Sequence, residues 1–450
     1  MTNRLIHYLQ GCIRAIFEDV AWMYTSKVDL DRDTKRVLTQ LSSRGDKFFT
    51  LELPAVENIL HLSLDVGRFM PIPLLGKSRN RQSNIPVFLE SLYKRIFSIE
   101  NGTLLDNPCP NAILGLKTIF SFAKKVELQC PQGVIDETFK KFQQTDYSLP
   151  DHTYDWNSDE FGLDLCRDHT HIRRYEWSKA FWSKLSYRDQ EIIQRTFDLV
   201  ASTLGESPSN DVDLQNLFKP GHGPGASSEK RDGLSKYNLG HWPSRLEERF
   251  PYDLYASASL CGTMRTDGEQ LSLDIRGSRL IAVHKNQKGP RLIAAEPVSH
   301  MYIQKFLEKC MVHRFESSFI GRSISIKDQN NNKKLAEEAS RSQQYTTIDL
   351  SEASDRVSLA IIESFLRSNP EWMKDMQACR SPYVTMPDGL VINYKKFGPQ
   401  GSAVTFPLQS LLYYAICQAA IHIHSGLMPT FSSLRKGAPD IRIYGDDIII

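Results

Sequence analysis

The pattern of apolar and polar positions divides the chain into three stretches. Residues 1 to about 205 read as mainly helical and mixed in charge, with loops at 71–84 and 151–159. From 206 to 345 the segments shorten and are broken by Gly, Pro and polar runs. The clearest are Pro220-Gly221-His222-Gly223-Pro224-Gly225-Ala226, which suits only a loop, and Asp328-Gln329-Asn330-Asn331-Asn332. From 346 onward the order is strand, helix, strand-rich connection, helix and hairpin. Residues 345–350 are β-prone, Leu359, Ile362, Phe365 and Leu366 recur at helical spacing, and Leu408, Leu411, Leu412, Ala415 and Ala419 do so again. Ile441-Arg442-Ile443 and Ile448-Ile449-Ile450 then flank a tight turn. The pattern predicts an α+β class, an antiparallel sheet backed by two helices.

Composition narrows the function classes. The 450 residues are 41% apolar and 24% charged, as in ordinary globular proteins, and 55 Lys plus Arg face 53 Asp plus Glu. Any grip on a polyanion must therefore be local. Eight cysteines lie far apart with no Cys-x-x-Cys pair, which argues against a disulfide framework and fits a reducing cytoplasm. Cys166-Arg167-Asp168-His169-Thr170-His171 could supply soft ligands but has no second half at zinc-site spacing. Arg4, Arg14 and Glu18 interrupt the N-terminal apolar residues, so no signal peptide is expected. The apolar region 403–423, broken by Pro407, Gln409 and Gln418, reads as a buried helix and not a membrane span. Three isoleucines after the hairpin would leave an apolar strand unfinished, so the sequence is expected to be a fragment.

The chemistry lies in three segments. Tyr444-Gly445-Asp446-Asp447 presents two adjacent carboxylates at a turn between strands, an arrangement suited to a hard cation that binds one or two carboxylates plus substrate phosphates. Gly-Asp-Asp alone is weak evidence, since a solvated hairpin turn uses the same residues. Asp349 ends a β-prone segment about one hundred residues earlier, where it serves equally well as a helix cap. On a strand beside the hairpin it would face Asp446 and complete a two-metal site, with ions about 3.5–4 Å apart stabilising the attacking and leaving oxygens of a phosphoryl displacement. Asp349 and Asp446 would be the principal ligands, and Asp447 an outer ligand or an orienting group.

Residues 275–295 carry Arg276, Arg279, Lys285, Lys288 and Arg291 and no Asp or Glu, a local positive surface for a triphosphate. Apolar and basic residues alternate there as in strands with charges on one face, which describes an exposed basic hairpin equally well. Lys77-Ser78-Arg79-Asn80-Arg81 reads as a solvated loop. Finally, the turn Phe397-Gly398-Pro399-Gln400-Gly401-Ser402 leads into the second helix. Its glycines would admit a nucleotide or template strand close to the backbone, and Ser402 and Thr405 offer hydroxyls.

Taken in order, these segments resemble an RNA-dependent RNA polymerase, most closely the replicase (beta) subunit of the leviviruses, the positive-strand RNA bacteriophages. Residues 347–359 (TIDLSEASDRVSL) resemble that family's palm motif A, 401–406 (GSAVTF) motif B and 443–449 (IYGDDII) motif C. Residues 283–297 (VHKNQKGPRLIAAEP) are similar to its basic finger motif.

The resemblance implies a right-hand fold: palm from 346 to 450, fingers in 206–345, a mainly helical region 1–205 packing on the fingers, and a thumb beyond Ile450. It implies two Mg2+ ions, or Mn2+, on Asp349, Asp446 and Asp447. Arg279, Lys285, Lys288, Arg291 and Gly401 would lie along the nucleotide and RNA path. Asp355 with Ser402 would sense the ribose 2′-hydroxyl, the group that separates RNA from DNA. RNA template and product, ribonucleoside triphosphates and the host elongation factors Tu and Ts are the implied partners, in the cytoplasm of a bacterial host and without a membrane. Gln400 and Ser402 depart from the methionine and asparagine common in that family. A reverse transcriptase shares the paired aspartates but blocks the 2′-hydroxyl with an aromatic residue, and Leu350 to Ser354 hold none. A non-catalytic RNA-binding or capsid-associated protein with structural aspartates is the alternative from another class.

Overall fold

The computed structural model describes residues 3–23, 30–72, 83–124, 126, 128–158, 161, 184–231, 233–257, 272–286 and 288–450. The basic run 77–81 and the Cys166 to His171 segment lie outside them. The chain forms two compact units, Met1–Thr138 with Ala282–Arg291, and Phe139–Ile281 with Leu292–Ile450.

The first unit is helical. Its main helices are α1 (Asn3–Trp22), α2 (Asp31–Arg44), α3 (Leu53–Val66) and α4 (Pro110–Ser121). Helix α3 has proline in its first turn and stops at Gly67 with φ of +71°, the usual asymmetry of helix ends. Ile13, Leu41, Phe49, Leu60, Leu116 and Phe120 meet in its core.

The second unit begins within α5 (Gln132–Tyr147) and holds α6 (Tyr187–Ser202), α7 (Val298–Glu316), α8 (Asn330–Ser342), α9 (Leu359–Leu366), α10 (Pro370–Ala378), α11 (Thr405–Ser425) and α12 (Phe431–Gly437). Local chemistry sets the boundaries. Ser358 caps α9 by accepting from the Ile361 N–H, Thr430 and Ser433 form a capping box on α12, and Gly426 ends α11 in the left-handed region. Pro407 is tolerated in α11 because it lies in the first turn, where an N–H has no intrahelical partner. Helix α11 packs along α6, as does α9, over a core that includes fully buried Trp156, Trp242, Trp372 and Tyr302. Aromatic side chains of this kind bury about 150–250 Å² each and dominate the energetics of a core.

The fold class is α+β, as expected, but the strands form two sheets. Strands β3 (Thr347–Asp349), β6 (Arg442–Tyr444) and β7 (Asp447–Ile449) make an antiparallel sheet in the order β3-β7-β6. The strand-rich connection supplies β4 (Tyr383–Thr385) and β5 (Val391–Asn393) to a different sheet, ordered β2-β1-β4-β5. There β1 (Ser278–Asn286) runs parallel to β4, and β2 is Gly289–Ala295. The single antiparallel sheet read from the sequence is corrected on this point: pairing across about one hundred residues leaves no local trace. The Pro220 to Ala226 segment is a loop, and its Gly223 and Gly225 carbonyls accept from the buried Lys236 ammonium. Among the described residues no helix is long and apolar enough to cross a membrane, and the six described cysteines are free thiols.

Candidate active site

Strands β6 and β7 are joined by the two-residue turn Gly445-Asp446. Gly445 has φ of +66°, which suits the glycine-first hairpin turn that follows the twist of its strands. A second constraint acts on the same residue. A Cβ there would lie 2.2 Å from the Phe406 ring, which stacks edge-on against Tyr444 at 5.2 Å between centroids. The Gly445 N–H donates to Ser410 Oγ at 3.1 Å. Helix α11 therefore seats the turn from below, through Phe406 and Ser410. The outer edge of β6 is also held, because the Ile443 N–H donates to the Ser323 carbonyl at 2.8 Å.

The carboxylates follow from the register. Thr346 and Ile450 exchange both backbone hydrogen bonds, and alternation along the ladder makes Asp349 and Asp447 a non-hydrogen-bonded pair. Their Cα atoms are then about 4.5 Å apart, with both side chains on the same face. Like charges set directly across a ladder repel. Both residues are exposed, and among the described residues no lysine or arginine lies within ion-pair distance of Asp349, Asp446 or Asp447. Asp447 Oδ2 accepts from Gln329 Nε2 at 3.0 Å. Asp446 is half-buried at the turn, close enough to Tyr413 for its charge to add to burial in raising the phenol's pKa.

Among the described residues no three His, Cys, Asp or Glu side chains are gathered to hold a metal ion. The protein alone thus provides no closed cage. An opposed pair of exposed carboxylates with a third beside it nevertheless fits Mg2+, which takes one or two carboxylates and completes its shell with water and substrate phosphate.

Each remaining sequence candidate has its own surroundings. Asp355, in the short turn after β3, accepts from Lys396 Nζ at 2.9 Å. Gly401 has φ of +130°, and a Cβ on it would fall 1.9 Å from the Ala294 carbonyl oxygen, so the close approach it permits is to β2 of its own chain. Ser402 is half-buried beside it, and the next residue, Ala403, donates its N–H to Gln304 of α7. Arg279 is half-buried and donates to the Ser227 and Ser228 carbonyls. Lys285, Lys288 and Arg291 are exposed on the outer part of the β1-β2 hairpin, within the first unit.

Residues 171–450, more than half of the chain, match the family described as RNA replicase, beta-chain. The chain belongs to that family. Among its relatives, the RNA-directed RNA polymerase subunit beta of Enterobacteria phage SP is 34% identical over 268 residues, covering 58% of this chain and 42% of that protein. The subunit beta of Escherichia virus Qbeta is 32% identical over 173 residues, 38% of this chain and 27% of that one. The beta chain of Escherichia phage MS2 is 36% identical over 173 residues, 38% and 28% respectively. The chain thus spans less than half the length of these relatives.

In this RNA replicase beta-chain relative, several residues around the site had no signal of their own in sequence: Gln329, Ser410, Tyr413 and Gln304. Each is an ordinary polar or aromatic residue whose partner lies far along the chain. Glu296 is another, buried at the end of β2. It accepts from Ser381 Oγ and Gln304 Nε2. Burial pushes its carboxyl from 4.5 up to about 7, against the pull of those hydrogen bonds and of Arg380 and Arg245.

A carboxyl with a raised pKa binds its proton more tightly when folded, so its contribution falls as pH rises from 4.5 to 7, by about 3 kcal/mol. Burial lowers His241 to about 3, aided by Arg276 and Arg231, and lowers His300 as well. Their contributions run the other way, being complete above 6.5 and lost on acidification. Glu296→Gln is therefore expected to gain stability relative to wild type as pH increases from 4.5 to 7. Denaturant midpoints across that range check it, and a constant difference would contradict the assignment.

Proposed function

We propose that this protein is the catalytic core of an RNA-directed RNA polymerase, the replicase of a levivirus-like positive-strand RNA phage. It would transfer nucleotides from ribonucleoside triphosphates onto an RNA 3′-hydroxyl with release of pyrophosphate, in genome replication and transcription. The observation that carries this reading is the opposition of Asp349 and Asp447 across the β3-β7 pair, with Asp446 at the adjoining turn, in a chain of the replicase beta-chain family.

Asp349, Asp446 and Asp447 would hold the divalent ions, Mg2+ or Mn2+. When bound, such ions lower the pKa of the attacking hydroxyl and offset the triphosphate charge. The remaining work falls to the chain itself. Ser410 and Phe406 fix the turn that carries Asp446, and Gln329 orients Asp447. Asp355, with Ser402, would accept from the ribose hydroxyl, and Arg279, Lys285, Lys288 and Arg291 would meet phosphates. In this reading 346–450 is the palm of a right-hand fold, 206–345 contributes fingers, and 1–205 is accessory. Host translation factors such as elongation factors Tu and Ts are partners by family resemblance, and the bacterial cytoplasm is the place of action.

The test is incorporation of labelled ribonucleotides on a defined RNA template by the full-length protein. Synthesis complementary to the template, abolished by EDTA and restored by Mg2+ or Mn2+, is the expected result. RNA retention indifferent to divalent ions, with no synthesis even when host factors are supplied, would favour the binding-protein reading instead.

A further inference from the structure

Lys396 is fully buried, yet its ammonium serves two carboxylates. Nζ lies 2.9 Å from Asp355 Oδ1 and 3.8 Å from Asp146 Oδ1, both side chains being on the same unit, with Asp146 also fully buried. It sits 3.6 Å from the centroid of the Phe142 ring, so the charge is walled by an aromatic face as well. The backbone around it is pinned. The Asp146 carboxylate accepts from the N–H groups of Lys395 and Lys396 at 3.1 Å each, and Lys396 pairs with Ser358 in a short antiparallel bridge. The last turns of α5 also hold the segment that carries Asp355. Glu352, in the left-handed region at φ of +56°, accepts from Thr145 and pairs with Lys141.

A buried ion group with this much scaffolding is costly to build, and an apolar trio would pack as well or better. What it achieves is geometric. Asp355 remains 24% exposed: Lys396 occupies one of its oxygens, and no described residue donates to the other. An ionised carboxylate only accepts, so the open oxygen is a fixed acceptor suited to a hydroxyl donor. Remove Lys396 and Asp355 shares the pocket with Asp146 without a cation between them.

We propose that Lys396 is a positioning residue for nucleotide selection, holding Asp355 so that its free oxygen reads a ribose hydroxyl. The inference rests on the polymerase reading and on Asp355 facing the nucleotide. It also assigns a role to the C-terminal part of α5, in the N-terminal stretch that carries no motif.

The experiment compares full-length wild type, Lys396→Met, Asp355→Asn, their double variant, and Asp146→Asn/Lys396→Met, which removes the charge pair together and protects the fold. Steady-state incorporation of each ribonucleotide and its 2′-deoxy analogue is measured beside thermal melting. Lys396→Met is expected to lower the ribo-to-deoxy preference about tenfold or more, chiefly through a higher KM for the ribonucleotide. The same change in an Asp355→Asn background should have no further effect, because Lys396 acts through Asp355. Preference retained in a folded Lys396→Met or Asp146→Asn/Lys396→Met protein, or losses that add, would overturn the inference. So would failure of both Lys396 variants to fold, since the lysine would then be a core cation only. A wild type that makes no RNA counts against the polymerase reading itself, and is seen before any variant is made.

Discussion

Asp446→Asn is expected to reduce RNA-templated synthesis by at least about a thousandfold, and Asp349→Asn by a similar factor, while RNA retention stays near that of wild type. Each variant replaces a full charge with a neutral amide at nearly constant volume, so packing around Phe406, Ser410 and Tyr413 is preserved. Under the proposed mechanism the loss is of the negative field that would gather divalent ions, worth several kcal/mol of transition-state stabilisation, or more than three decades in rate at about 1.4 kcal/mol per decade. Asp447→Asn separates two geometries. Asp447 is the register partner of Asp349, so a loss as large as that of Asp446→Asn makes it an ion ligand. A loss nearer tenfold makes it the group that Gln329 orients. Measuring kcat against Mg2+ concentration for all three variants, together with filter binding of RNA, tests the assignment. Wild-type rates in Asp446→Asn would remove the hairpin from the mechanism.

Gly401→Ala is expected to be the most damaging single-methyl change in the second unit. Two independent costs meet there. A φ of +130° lies where only glycine is comfortable, and the added Cβ would stand 1.9 Å from the Ala294 carbonyl oxygen and 2.8 Å from its carbon. Ala294 is strand backbone, tied to Gln400 by a 2.7 Å hydrogen bond, and cannot rotate away. A loss of about 3–5 kcal/mol follows. Synthesis should fall with it, because Ser402 and Ala403 are displaced together. Gly445→Ala meets a side chain instead of backbone, so part of its cost should be recovered in the Gly445→Ala/Phe406→Leu double variant. Urea unfolding of the three proteins gives the ranking, and a Gly401→Ala protein as stable as wild type would mean the close approach to Ala294 is not there.

How far the sequence carries the reader depends on the range of the interaction. The hairpin was legible because its signals are adjacent: alternating isoleucines, a glycine at the turn and two aspartates in four residues. The helix from Thr405 was legible from spacing, and the basic strands from alternation. The partner of β4 was not, since β1 lies about one hundred residues upstream and three-residue strands have no distinctive pattern. Gly401 looked like an opening for a ligand, whereas the space is taken by Ala294; glycine reports a close approach without naming what approaches. Lys396 was within reach. Ile392, Tyr394 and Lys396 are all buried, so a period of two running on past β5 points the second lysine of Tyr394-Lys395-Lys396 inward. A pair of neighbouring lysines nonetheless reads as solvated until the carboxylates opposite are known.

The pairing of β3 with β7 also sets a schedule for synthesis of the protein on the ribosome. Asp349 emerges about one hundred residues before Asp447, a delay of about 5–20 s at ordinary elongation rates. Throughout that interval its strand lacks a partner, and the acidic pair does not exist. A nascent chain therefore cannot present the opposed carboxylates until the hairpin has left the exit tunnel, however early its first aspartate has emerged.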